Sequence, residues 1–217
     1  QVFDVNNKNN AEIIFAVHFN KEIVNEGHSY WYDITNLTDE SGQAEALVNC
    51  FTPGDTRKEM ITYVKAENKA YLMTKFLDTK NVSFNQVGND QILLRYADVL
   101  LMYAEALNEL GYDASEGSIA LKQLNATRTR AGLTKLTAAD VPTQESFRKA
   151  ILDERQKEFP YEGHRWFDLV RMGYAKSVLA TQGLNIQDYQ LLFPIPQTEI
   201  EKVGDSKILW QNPGYDK

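Results

Sequence analysis

Acidic and basic side chains crowd one stretch of this sequence more than any other. From Glu154 to Asp168 the chain reads ERQKEFPYEGHRWFD, with Glu154 and Glu158 one helical turn apart and Glu162, His164 and Asp168 close behind. Residues at i and i+4 share a helix face, so the two glutamates could share a proton or a metal. Such a cluster suits a hydrolase acid/base pair or a carboxylate–histidine metal site. It equally suits an ion-pair network, because Arg155, Arg165 and Arg171 are interleaved among the acids and buried carboxylates need such partners. Neither H-E-x-x-H nor E-x-x-H occurs, and the other histidines, His18 and His28, are remote in sequence. The missing ligand spacing favours the network, so no catalytic or metal-ligating residue is assigned and no cofactor is expected.

Other reactive patterns are weaker. G-x-S-x-G, Walker and G-x-G-x-x-G motifs are all missing from the sequence. Cys50, the single cysteine, has no adjacent basic residue and reads as a packed thiol. It also rules out an internal disulfide. The triplets at Asn36, Asn81 and Asn125 match the glycosylation sequon, but Asn125 falls inside an expected helix.

Recognition is the better-supported chemistry. Residues 20–55 are rich in Gly, Asn, Ser, Asp and Thr, and within them stand three consecutive aromatics, Tyr30, Trp31 and Tyr32. Flat rings with O–H or N–H handles suit stacking on sugar faces or gripping peptides. The alternative is a loop pinned to the core by its own rings.

The elements that must position these residues are mostly helical. Residues 92–111, ILLRYADVLLMYAEALNELG, are largely apolar, and their four charges, Arg95, Asp98, Glu105 and Glu109, fall on one helical stripe. The charges argue for a core helix rather than a membrane span, with Arg95 and Asp98 paired at i,i+3 and Gly111 closing the helix. Asp113 and Glu116 have the form of a capping box for the next helix, which runs to Gly132. The two helices, joined by a short connection, form an antiparallel hairpin. Thr143 caps a third helix, which Pro160 stops. A shorter helix covers 163–171, and the prolines of LLFPIP keep 191–196 extended. Upstream, 12–19 and 70–77 read as strands, 43–48 as a short helix and 57–64 as a helix or strand.

With 217 residues, a hydrophobic content of 43%, a charged content of 24% and a net charge of −7, the chain has a globular composition. No Lys/Arg run exceeds two residues, which argues against nucleic acid or an anionic membrane as a main partner.

Several ordered segments resemble the SusD/RagB-like family of nutrient-binding outer-membrane lipoproteins. They are LLRYADVLLMYAEALNELG, LNATRTRAGL, ILDERQKEFPYEGHRWFDLVRMG, LLFPIPQTEI and QNPGY, with Asp55-x-Arg57 upstream. Pro160 departs from the pattern. The resemblance implies a mainly α fold of tetratricopeptide-like helix pairs with long loops and a few short β-strands. The whole chain, 1–217, would be the C-terminal portion of one SusD-like domain, with 1–90 loop-rich and ligand-facing and 91–217 the helical scaffold. It further implies a non-catalytic protein on the outer surface of an outer membrane that binds a glycan, or in some branches a peptide. That protein would deliver its ligand to a SusC-like TonB-dependent transporter. Its lipid anchor would lie in a segment preceding Gln1, and Cys50 would not be that anchor. Tyr30, Trp31 and Tyr32 are then the candidate ligand-binding residues. A helix pair separated from preceding repeats would expose an apolar face.

Overall fold

A computed structural model describes residues 2–28, 36–38, 43–65, 70–73, 75, 76, 78 and 87–215. The chain divides into two compact units, Gln1–Arg165 and Trp166–Lys217. The first unit begins with β1 (Ile13–Val17), β2 (Asn36–Thr38) and the short helix α1 (Gln43–Asn49). A 3-10 turn (Thr56–Met60) leads into β3 (Ile61–Lys65), followed by β4 (Ala70–Met73) and β5 (Gln91–Arg95). Three longer helices follow: α2 (Tyr96–Leu110), α3 (Ile119–Arg130) and α4 (Gln144–Glu158). β1 pairs antiparallel with β5, and β4 lies between β2 and β3 in a second, three-stranded sheet.

The mainly α architecture matches expectation, but the long apolar segment does not begin as a helix. Residues 91–95 form β5, and only from Tyr96 does the chain turn helical. A short apolar run is ambiguous between strand and helix. Here the edge of β1 decides it, because Ile92 faces Ala16, Leu94 faces Phe15, and the Tyr96 N–H donates to the Glu12 carbonyl at 2.8 Å. The C-terminal Gly111 is extended, with φ 175, so it needs no glycine-specific conformation.

α2 packs against both α3 and α4. Leu101 and Ala104 of α2, Leu124 of α3 and Ile151 of α4 are fully shielded and form the centre of the helical core. The cap of α3 also differs from expectation. Ser118, not Asp113, is the N-cap, and its hydroxyl accepts from the Leu121 N–H. Asp113 instead accepts from the Ser115 N–H at 2.9 Å, and Glu116 from the Ala138 N–H at 2.7 Å. The turn at Ser115–Ser118 delays the helix by one turn and leaves the expected box without its geometry. Thr143 does cap α4, reciprocally with Ser146. Asn125 is buried, its amide donating to the Leu136 carbonyl and its oxygen accepting the Leu136 N–H. It clamps the loop after α3, with its side-chain amide engaged at both ends.

Gly132 fixes the start of the charged network described below. Its φ is +81, and a Cβ there would meet the Gly54 carbonyl at 3.0 Å and Thr56 Cγ2 at 3.3 Å. The same close approach lets the Thr56 N–H donate to the Ala131 carbonyl at 3.0 Å, seating Asp55 and Arg57 beneath α3. Gly132→Ala is expected to cost about 1–3 kcal/mol from the left-handed strain and the crowding together. A urea midpoint equal to that of the parent would show that the turn can move aside.

The second unit contains α5 (its share of Arg165–Arg171), α6 (Ala175–Ala180), a 3-10 turn (Asp188–Leu191) and α7 (Gln197–Val203). Residues 192–196 are extended and held by the C-terminal turn. Gln211 exchanges two hydrogen bonds with the Ile195 backbone, the Asn212 amide donates to Phe193 O, and the Tyr215 hydroxyl to Leu192 O. Among the described residues no helix is long and apolar enough to cross a membrane.

Candidate functional site

The acid-rich segment resolves into a buried ion-pair network within the first unit. Glu154 is fully buried, accepting from Arg57 at 2.7 Å and from Arg128 at 3.2 Å. Glu158, one turn on, accepts from Arg95 at 2.6 Å, from Arg57 at 3.0 Å and from Arg130. The chain then leaves α4 through a turn with Tyr161 at φ 60 and Gly163 at φ 82. That turn returns Glu162 to the network, where it binds Lys75 and takes both prongs of Arg95, at 2.7 and 2.8 Å. Asp55 holds Arg57 in a fork of 2.9 and 2.8 Å bonds, and Glu12 closes the set against Arg95 at 2.9 Å. The cations Arg57, Lys75, Arg95, Arg128 and Arg130 thus face the carboxylates of Glu12, Asp55, Glu154, Glu158 and Glu162 one for one. Phe159 lies between two guanidiniums, with Arg95 at 4.5 Å and Arg155 at 4.9 Å from its ring centroid, an arrangement that favours cations over the ring face.

Burial alone would raise the Glu158 carboxyl, but the Arg95 and Arg130 guanidiniums outweigh it and hold it down to about 2. Burial likewise opposes ionisation of Glu162, and Lys75 with Arg95 overcomes it, leaving that carboxyl below the usual range. A general acid needs a carboxyl raised toward neutrality, and these two are lowered. Asp153, the carboxyl of α4 that burial does raise, lies outside the cluster of acids read from the sequence.

The partners differ from those expected. Asp98, expected to pair with Arg95, binds Arg155 at 2.6 Å. Arg165 reaches the Leu152 carbonyl and Gln156, and Arg171 pairs with Asp168 inside the second unit. The cations that neutralise Glu154 and Glu158 come from sequence-distant elements, because an adjacent residue such as Arg155 points to a different helix face. His164 packs tilted against Phe159, with ring centroids 4.8 Å apart. Burial pushes the Cys50 thiol up to about 11, the charges of Lys157 and Arg165 opposing only weakly, so it is a poor nucleophile. Among the described residues no group of three or more His, Cys, Asp and Glu side chains converges as a metal site.

A second feature of the first unit is open rather than buried. A cleft of about 610 Å³ is lined by Asn6, Lys8, His18, Phe19, Lys21 and Gly88, among others. Three of these residues are tied to the buried Asp90, which accepts from Lys8 at 2.6 Å and the Phe19 N–H at 3.1 Å, with His18 Nδ1 at 2.6 Å. Lys8 also donates to the carbonyls of Phe19 and Gly88, and Lys21 pairs with Asp78 at 2.6 Å. His28, two residues before Tyr30, packs edge-on against Phe19 with centroids 4.3 Å apart and bridges to Val87 through paired backbone hydrogen bonds. Tyr30, Trp31 and Tyr32 themselves lie outside the described residues. The cleft residues carried no sequence signal. Lys8, His18 and Asp90 are isolated polar residues that only the β1–β5 pairing gathers.

The first unit thus combines helices packed over a buried charge network with an open polar cleft. The chain belongs to the SusD family, whose sequence profile matches residues 57–215. SusD-like protein P2 of Formosa agariphila is 36% identical over 140 residues, covering 59% of this chain and 26% of that protein. The starch-binding protein SusD of Bacteroides thetaiotaomicron is 31% identical over 147 residues, covering 64% of this chain and 24% of its own length. Among solved structures, surface glycan-binding protein A of Bacteroides fluxus superposes with a TM-score of 0.76 at 26% identity, covering 99% of this chain and 53% of that one. The chain therefore spans about a quarter of these curated relatives and about half of the structural one.

Proposed function

We propose that this chain is part of a non-catalytic surface protein that binds an oligosaccharide or polysaccharide and delivers it to a SusC-like TonB-dependent transporter. In this reading residues 1–90 carry the ligand and 91–217 hold them in place. The protein sits on the outer face of an outer membrane through a lipid anchor outside residues 1–217. The observation that carries the reading is the family match, and the three consecutive aromatics Tyr30, Trp31 and Tyr32 of the sequence are its candidate ligand contacts. The glycans named for the starch-binding and surface glycan-binding relatives point to the same ligand class. Glu154, Glu158 and Glu162 support a binding rather than hydrolytic role, because each is buried and engaged by cations.

Affinity electrophoresis of the complete gene product against a polysaccharide panel tests it. Retardation by at least one glycan is expected, with strong loss in the Trp31→Ala, Tyr32→Ala double variant. Truncating a central aromatic contact typically costs about 2 kcal/mol or more, roughly thirty-fold. Unchanged retardation of the double variant would remove these rings from the site. Calorimetric binding of oligopeptides in place of any glycan would assign the protein to the peptide-binding branch. Glycan turnover that disappears in Glu158→Gln would restore the hydrolase reading.

A further inference from the structure

The polar cleft of the first unit holds a histidine that is fixed without being buried. Antiparallel pairing of Val17 with Gln91 brings the next residues, His18 and Asp90, together at the end of the β1–β5 ribbon. The Asp90 side chain is 4% exposed, whereas that of His18 is 67% exposed. Asp90 Oδ1 accepts from Lys8 and from the Phe19 N–H, and Oδ2 lies 2.6 Å from His18 Nδ1. A carboxylate only accepts, so the proton of the neutral imidazole sits on Nδ1 and leaves Nε2 as an acceptor on the exposed edge of the ring. Lys8 and the Phe19 N–H already satisfy Asp90. Holding an exposed ring in one orientation and one tautomer buries little surface. It does prepare Nε2 for a partner, because a group already in place loses less freedom on binding.

The charges of the cleft identify that partner. Lys8 commits its three ammonium protons to Asp90 and to the carbonyls of Phe19 and Gly88. Lys21, also in the lining, pairs with Asp78, whose side chain is fully shielded. Two cations thus face two buried carboxylates, and Glu22 in the lining adds a negative charge. Protonation of His18 brings the sum only to zero. An anionic group entering the cleft would give up hydration and find no uncommitted cation among the described lining residues. A hydroxyl group both donates and accepts, so it matches Nε2 whether the ring is neutral or protonated. Phe19 adds an apolar wall of the kind a sugar's C–H face packs against. We propose that His18, held by Asp90, is a ligand contact in a subsite for an uncharged sugar, and that the cleft excludes glycans bearing uronate or sulfate groups. This rests on the glycan-binding reading above and narrows it, to neutral glycans and to a contact outside the aromatic run.

The test uses the complete gene product and calorimetry with two sets of oligosaccharides. The neutral probes come from starch, laminarin, mannan and agarose, the anionic ones from alginate, polygalacturonate and carrageenan. At least one neutral probe is expected to bind, with His18→Ala weakening it about tenfold or more and every anionic probe at least about tenfold weaker. Diethyl pyrocarbonate gives a parallel reading that needs no variant. It should modify His18 in the free native protein, as located by peptide mapping, and a saturating neutral glycan should protect that residue. Failure of His18 to react in the free protein would place it beneath another part of the chain and overturn the proposal. Tighter binding of an anionic probe would overturn it too. A neutral glycan that binds parent and His18→Ala alike, without protecting His18, would refute this subsite and leave the glycan-binding reading standing. Binding of oligopeptides and of no glycan would remove both.

Discussion

Arg95→Met is expected to destabilise the protein by about 3–5 kcal/mol, the usual penalty for deleting one member of a buried ion pair and stranding the other. Methionine keeps the aliphatic stem but removes the guanidinium, and with it both the charge and the cation contact over Phe159. Arg95 is 3% exposed and serves Glu12, Glu158 and Glu162 together, besides donating to the Glu158 carbonyl at 2.8 Å. Without it Glu162 keeps Lys75 and Glu158 keeps Arg57 and Arg130, but excess negative charge remains in a site with little water to screen it. Arg148 provides the control. It also binds two carboxylates, Glu109 and Glu145, yet these are near the surface, and Arg148→Met should cost no more than about 1 kcal/mol. Equilibrium urea unfolding of both variants measures the contrast. Equal, small losses would mean that the network relaxes around the missing charge and does not fix the joint between α4 and the turn that follows.

That network also shows how far the sequence could be read. The glutamates announced themselves through their density, and the near balance of charge pointed to ion pairs. Which cations served was hidden, because Arg57, Lys75 and Arg95 arrive from elements far away along the chain. Helical periodicity located α2, α3 and α4, since each buries a face over at least three turns. It misread residues 92–95, where a run of Ile and Leu suits either structure and pairing with β1 made the choice. The capping box failed for a similar reason. Asp113 and Glu116 had the right types and spacing, but each found a partner outside the helix. The cleft was illegible from sequence because Lys8, His18 and Asp90 are separated by most of the loop-rich half and meet only through β1 and β5. The family, by contrast, was legible, because its motifs are scaffold residues whose spacing packing constrains tightly. Recognition loops carry no such constraint, which is why the residues that identify the chain differ from those proposed to bind.

Acidification should expose the same network by a different route. Glu158 is held at about 2 against an ordinary 4.5, so its contribution is complete above pH 4.5 and is lost as the pH falls toward 2. The difference corresponds to roughly 3 kcal/mol of stability at neutral pH. Glu162, lowered in the same sense by Lys75 and Arg95 against the opposing effect of burial, steepens the loss over this window. Asp153 acts in the other direction. Burial raises it, so its protonation favours the folded state and blunts the upper part of the decline. Stability measured by denaturant titration should therefore be flat from neutrality to about pH 5, then fall with a slope set by the buried glutamates. Glu158→Gln tests the assignment through slope rather than height. The variant starts less stable, because glutamine cannot neutralise Arg95 and Arg130, but it no longer takes up the proton that unfolds the parent. Its curve should flatten between about pH 4.5 and 2. A variant that declines as steeply as the parent would place the acid-sensitive groups elsewhere, among exposed pairs such as Glu109 with Arg148. Raised salt discriminates between these outcomes as well. Screening should weaken an exposed pair markedly and leave the buried network's acid slope nearly unchanged.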